Sequence, residues 1–175
     1  MAKMPLVNVG QIKTEVKIKS IFGQIMVMWS HLELETQWLL WNLCDADSRN
    51  IRILTSHQGM DRWLTNIENL IDLRYTCLDA RSDWKEVKSA IHRAKDERNM
   101  LTHSFLGHTI EDITFIGQYN RKTGELKRAQ RDHESLGKLL DDIIFAKKLL
   151  LSWHQHYLLP PVGSSGTRLP PLPDI

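Results

Sequence analysis

Arg98, Asn99, Thr102 and His103 fall within six consecutive residues of a stretch otherwise patterned like a buried helix. An arginine is always charged and can stabilise negative charge on phosphoryl oxygens, while a histidine, with a reference pKa of about 6.5, can give or take a proton near neutral pH. Together they suit cleavage of an RNA phosphodiester, in which the substrate's own 2′-hydroxyl is the nucleophile. That scheme needs no metal and no cofactor. Asn99 precedes His103 by four positions, so on a helix its amide lies on roughly the same side and can orient the imidazole or bind phosphate. Thr102 shares a face with Arg98, where its hydroxyl can hold the guanidinium or bond back to its own helix.

The spacing sets a condition. Five positions on an ideal helix separate Arg98 from His103 by about 140° around the axis and about 7.5 Å along it, so one straight helix does not make a complete site. Two copies of the helix approaching across a two-fold axis would line one cleft with both pairs, which makes a homodimer the expected assembly. The competing structural account pairs Arg98 with a carboxylate on a neighbouring helix, Glu33 being the candidate, and leaves His103 to interact with carbonyls at a helix C-terminus.

The elements that must position these residues read as helices. From Phe22 to about Cys44, Ile25, Trp29, Leu32, Thr36, Leu39 and Leu43 recur at three-four spacing. Met26, Met28, Leu34, Trp38, Leu40 and Trp41 make this helix apolar on most sides, as expected of one central in a bundle or covered by a second subunit. After a polar break at Asp45 to Asn50, Met60, Leu64, Ile67, Ile71, Arg74 and Leu78 outline a second helix, with Gly59 weakening its start. A break at Arg81-Ser82-Asp83 is expected to cap a third, whose seam runs Trp84, Val87, Ile91, Ala94, Arg98, Leu101 and Phe105. Asp132 caps the last, with the seam Leu136, Leu139, Ile143, Ala146, Leu150, Trp153 and Tyr157.

Between the third and fourth long helices the period changes. Ile113, Phe115, Gly117 and Tyr119 alternate with polar neighbours, and a turn at Thr123-Gly124 leads to Leu126 through Arg131, predicting a two-stranded β-hairpin at about 111–131. Arg121, Lys122, Lys127, Arg128 and Arg131 against Glu125 give this segment a local charge of +4, suited to a phosphate backbone. The fold class expected is therefore mainly α: an antiparallel four-helix bundle with an inserted hairpin. Residues 1–21 read as an N-terminal arm, 22–159 as the bundle domain and 160–175, which hold five of the six prolines, as a flexible tail.

The stretch Glu97-Arg98-Asn99-Met100-Leu101-Thr102-His103 resembles the signature of HEPN-domain proteins (higher eukaryotes and prokaryotes nucleotide-binding): an arginine, a polar residue, and a histidine four to six residues beyond the arginine. The resemblance covers roughly residues 22 to 158. It implies a helical bundle that dimerises through the motif-bearing helices, and often a metal-independent RNase in toxin, antiviral or RNA-processing settings. Arg98 and His103 would be catalytic, with Asn99 in support. A cognate regulatory or inhibitor protein is the further partner such a setting implies. Some members only bind RNA or protein, so a noncatalytic regulatory module is the alternative within the same architecture.

Composition narrows the remaining choices. A formal charge of +2 over 175 residues is too mild to indicate a polyanion partner by itself. The third helix carries five Lys/Arg and four Asp/Glu between Asp83 and His103, so an RNA role would have to come from a local cleft. Cys44 and Cys77 sit in apolar patterns like small hydrophobes of a reduced cytoplasmic protein. No apolar run approaches the roughly 18 residues that span a bilayer. His154 and His156 lack zinc-ligand spacing, and no metal site is expected. The six tryptophans all fall in predicted helices, where packing is the better default than base stacking.

Overall fold

The computed structural model describes residues 9–44, 48–55, 57–75, 78–102, 105–108, 114–119, 126–130 and 133–158. These form five α-helices: α1 (Val9–Cys44), α2 (Ser48–Thr55), α3 (Met60–Arg74), α4 (Leu78–Thr102) and α5 (His133–Tyr157). Between α4 and α5 lie three strands, β1 (Phe105–His108), β2 (Thr114–Tyr119) and β3 (Leu126–Gln130). The chain divides into two compact units, one of residues 1–28 with 93–142, the other of 29–92 with 143–175.

The second unit is a helical bundle to which all five helices contribute. Its core takes Trp29, Leu32, Leu39 and Leu43 from α1, and Leu64, Ile67 and Ile71 from α3. Trp84 and Ile91 of α4 join Ile143, Leu150 and Trp153 of α5. Each set follows the three-four spacing read from the sequence, and Thr36, within the α1 stripe, is buried by donating its hydroxyl to the Leu32 carbonyl at 2.8 Å. The aromatic residues tie α3, α4 and α5 together. Trp153 stands edge-on to Trp84 at 5.7 Å between centroids and donates its indole N–H to the Ala80 carbonyl at 3.0 Å. Tyr75, just past α3, sits edge-on to Trp153 and donates its hydroxyl to the Tyr157 carbonyl, while the Tyr157 hydroxyl donates to Asp83.

In the first unit, Ile18, Ile21 and Ile25 of α1, Ala94 and Leu101 of α4, and Leu136 and Leu139 of α5 are buried. A β-carbon placed on Gly137 would stand 3.8 Å from Ile21 Cδ1, which shows how closely α5 lies on α1 there. The strands pair as a three-stranded antiparallel sheet in the order β1-β2-β3, with Phe105 opposite Gly117 and Gly117 opposite Arg128.

This architecture overturns the expected antiparallel four-helix bundle with an inserted two-stranded hairpin: there are five helices, and the inserted segment is not a lone hairpin. The extra helix, α2, has only eight residues and buries Ile51 while Ile53 and Leu54 stay exposed; its Thr55 hydroxyl donates to the Ile51 carbonyl and accepts the indole N–H of Trp41. A helix this short is marginal alone and gains its stability from tertiary contacts, so eight residues gave too short a window to read. The extra strand, β1, is four residues long with Gly107 inside it, too short to show alternation and ordered by pairing with β2.

Helix boundaries shift for similar reasons. α1 begins at Val9 rather than Phe22, because Ile18 and Ile21 continue its buried stripe toward the N-terminus. α4 begins at Leu78 and runs through Arg81-Ser82-Asp83 without a break: Ala80 is buried, and Arg81 reaches back to the Asp72 carbonyl and carboxylate at 2.9 and 3.1 Å.

Two consequences are measurable. Trp84→Ala removes a fully buried indole and its edge-on partner, and should lower unfolding free energy by about 3–5 kcal/mol in a denaturant titration. His154 lies 3.2 Å from the Asn42 side-chain nitrogen, and burial holds its pKa below the ordinary histidine value, the nearby Glu35 carboxylate opposing this more weakly. The unfolded chain thus binds the proton more readily than the folded one, so this contribution to stability is present above about pH 6.5 and is lost as pH falls through the folded value. His154→Gln, which cannot titrate, should flatten the fall in urea stability between neutral and mildly acidic pH.

Candidate functional site

The final two turns of α4 carry the arginine motif, and burial there explains its placement. Ala94 is fully buried and Leu101 nearly so, which fixes the rotation of the helix about its axis. Arg98 occupies the seam position between them. A guanidinium cannot be sealed there without large desolvation cost, and it remains half-buried, as do Asn99, Met100 and Thr102. Its Nη1 donates to the Asn99 side-chain carbonyl oxygen at 3.2 Å.

Asn99 therefore orients the arginine rather than facing away from it. The Thr102 hydroxyl is directed into its own helix, shared between the carbonyls of Arg98 at 3.2 Å and Asn99 at 3.3 Å, and so takes the back-bonding option of the two that sequence left open. His103 lies outside the described residues; it is the residue immediately after the last of α4. Glu33 is half-buried on α1 and belongs to the other unit from Arg98.

The basic segment divides. Arg121, Lys122 and Arg131 lie outside the described residues, while Lys127 and Arg128 are neighbours on β3, opposite Gln118 and Gly117 respectively.

A groove in the same unit escaped sequence reasoning. Arg93, Asp96 and Glu97 of α4 line it with Ser135, Lys138, Leu139 and Asp142 of α5. Three carboxylates against two cations make it a poor seat for a phosphate backbone, and the mixed composition gave no signal in either helix alone. Among the described residues no group of three histidine, cysteine or carboxylate side chains is placed to hold a metal ion. No helix among them is long and apolar enough to cross a membrane.

Compared with models of known families, with characterised proteins and with solved structures, the chain matches none. Its site must be argued from its own residues.

Because the Thr102 hydroxyl bonds carbonyls of its own last turn, Arg98 and Asn99, Thr102→Val should change unfolding free energy by less than about 1 kcal/mol. Thermal unfolding of the two chains side by side checks this.

Proposed function

We propose that this chain is a metal-independent endoribonuclease of the HEPN kind, acting as a homodimer whose cleft takes Arg98 and His103 from both copies. The observation that carries the reading is the state of Arg98. It lies on the buried seam of α4, is half-buried rather than sealed, and donates from Nη1 to the amide oxygen of the adjacent residue, five positions before the histidine. A guanidinium kept on an apolar seam despite its desolvation cost, with a histidine close by in sequence, suits an anionic substrate.

In the proposed reaction the 2′-oxygen attacks phosphorus, the bond from phosphorus to the 5′-oxygen breaks, and a 2′,3′-cyclic phosphate remains on the upstream fragment. One His103 accepts the proton of the 2′-hydroxyl and the other supplies a proton to the departing 5′-oxygen, while Arg98 offsets charge on the non-bridging oxygens. Asn99 acts as a positioning residue for Arg98. Lys127 and Arg128, on β3, are the members of the basic segment proposed to bind the RNA backbone together with Arg121, Lys122 and Arg131.

The test is cleavage of mixed RNA in the presence of a chelator. The native chain should cut and leave cyclic phosphate ends. His103→Ala and Arg98→Ala should each lose activity by about 10²–10⁴-fold while retaining the helical circular dichroism of the native chain. The rate should also pass through a transition in the neutral range of pH. A folded, associated protein that leaves RNA intact, or a His103→Ala variant as active as the native chain, would reject the reading in favour of a noncatalytic binding module.

A further inference from the structure

Among the described residues, one side of α1 leaves a row of apolar side chains exposed. Val16 is 59% exposed, Val27 55%, Leu34 42% and Trp38 45%, and all four fall on one stripe at the three-four spacing of a helix seam. Between them on the same stripe lie Ser20, Gly23 and Ser30, also exposed. No charged residue interrupts it from Val16 to Trp38, a length of about 33 Å. Gly23 has nothing within 4 Å of where a β-carbon would stand, so packing within the chain does not explain a glycine in mid-helix, where it costs about 1 kcal/mol relative to alanine.

The charges beside this stripe are segregated. Lys17 and Lys19 flank its N-terminal end, Glu33 and Glu35 its C-terminal half, and residues 20–32 between them contain no Lys, Arg, Asp or Glu. We infer that this face is covered by the same face of a second copy of the chain, the two α1 helices running antiparallel about a two-fold axis at Val27. That pairing sets Val16 opposite Trp38 and Ser20 opposite Leu34, small against large, and brings Lys17 and Lys19 alongside Glu35 and Glu33 of the second copy. An isologous contact requires one surface to carry both complementary halves, and this stripe does so in size and in charge. A foreign partner would impose no such relation about the midpoint. A parallel pair would set lysines against lysines and glutamates against glutamates.

The inference draws on neither Arg98 nor His103 and stands apart from the ribonuclease reading. It is tested on the full chain by oxidative cross-linking. Val27→Cys, at the axis, should form a disulfide with its own counterpart and run as a covalent dimer. Val16→Cys, far from its counterpart, should give no more cross-linked dimer than the native chain, which serves as the control for Cys44 and Cys77. Both substituted sites are more than half exposed, so the fold is not at stake. Placed in the Val27→Cys chain, Lys17→Glu combined with Lys19→Glu should cut the yield of cross-linked dimer at least about tenfold by setting like charges together at the α1 contact. The assignment is overturned if Val27→Cys cross-links no better than the native chain, if Val16→Cys cross-links equally well, or if the double charge reversal leaves the Val27→Cys cross-linking unchanged.

Discussion

The constraint on which the site depends is that a guanidinium occupies a core position of α4. The seam Trp84, Val87, Ile91 and Ala94 is closed against the bundle, and continuing it one more turn arrives at Arg98. Burying that charge dry would cost several kcal/mol, so the packing loosens instead: Arg98 to Met100 are all half-buried, and only Leu101 returns to the core before the helix stops at Thr102. The end of α4 is thus the place where the hydrophobic requirement of the helix and the hydration requirement of its arginine meet. That conflict leaves Arg98 half-buried, with its Nη1 on the Asn99 amide oxygen.

The other end of α4 is sealed by the core. There the Trp153 indole donates to the Ala80 carbonyl, the Tyr157 hydroxyl to Asp83 and the Tyr75 hydroxyl to the Tyr157 carbonyl, while the buried Trp84 indole N–H has no hydrogen-bond partner among the described residues. These bonds join the start of α4 to the ends of α3 and α5, while the aromatic rings fill the space between. Nearby, Lys88 and Glu68 pair at 2.6 Å with both side chains partly in solvent, where such a pair adds modestly at best. Stability in this bundle rests on the apolar seams and their aromatic closure.

What was legible in the sequence was legible through repetition. The seams of α1, α3 and α5 repeat often enough that each buried residue confirms the next, and even Arg74, included in the α3 stripe by spacing alone, is buried. Features without repetition were lost. α2 offers one buried apolar residue and one buried threonine, and β1 is four residues whose order comes from a strand downstream. Ser82-Asp83 looked like a cap because the residues suit one, yet Ala80 and Arg81 find partners that carry the helix past them. At the site, sequence placed Arg98 and Asn99 close together but could not choose the direction of an amide or a hydroxyl. The Arg98–Asn99 bond and the Thr102 back-bond depend on rotamers.

α1 carries two patterns at once, and this explains why it read as apolar on most sides. Ile18, Ile25, Leu32, Leu39 and Leu43 are buried by the chain itself, while Val16, Val27, Leu34 and Trp38 form a second stripe on another side. A helix with a single buried face is free to place charge anywhere else, and α4 does so with nine charged residues between Asp83 and Arg98. α1 has only two carboxylates and no lysine or arginine from Ser20 to Cys44, although many of those positions face solvent. Solubility alone would favour charge at Val27, Leu34 and Trp38, where the fold would tolerate it. Keeping those positions apolar and uncharged exposes a surface that a lone chain in water gains nothing from, and it is this second stripe, beside the one the core takes, that the inferred second copy would cover.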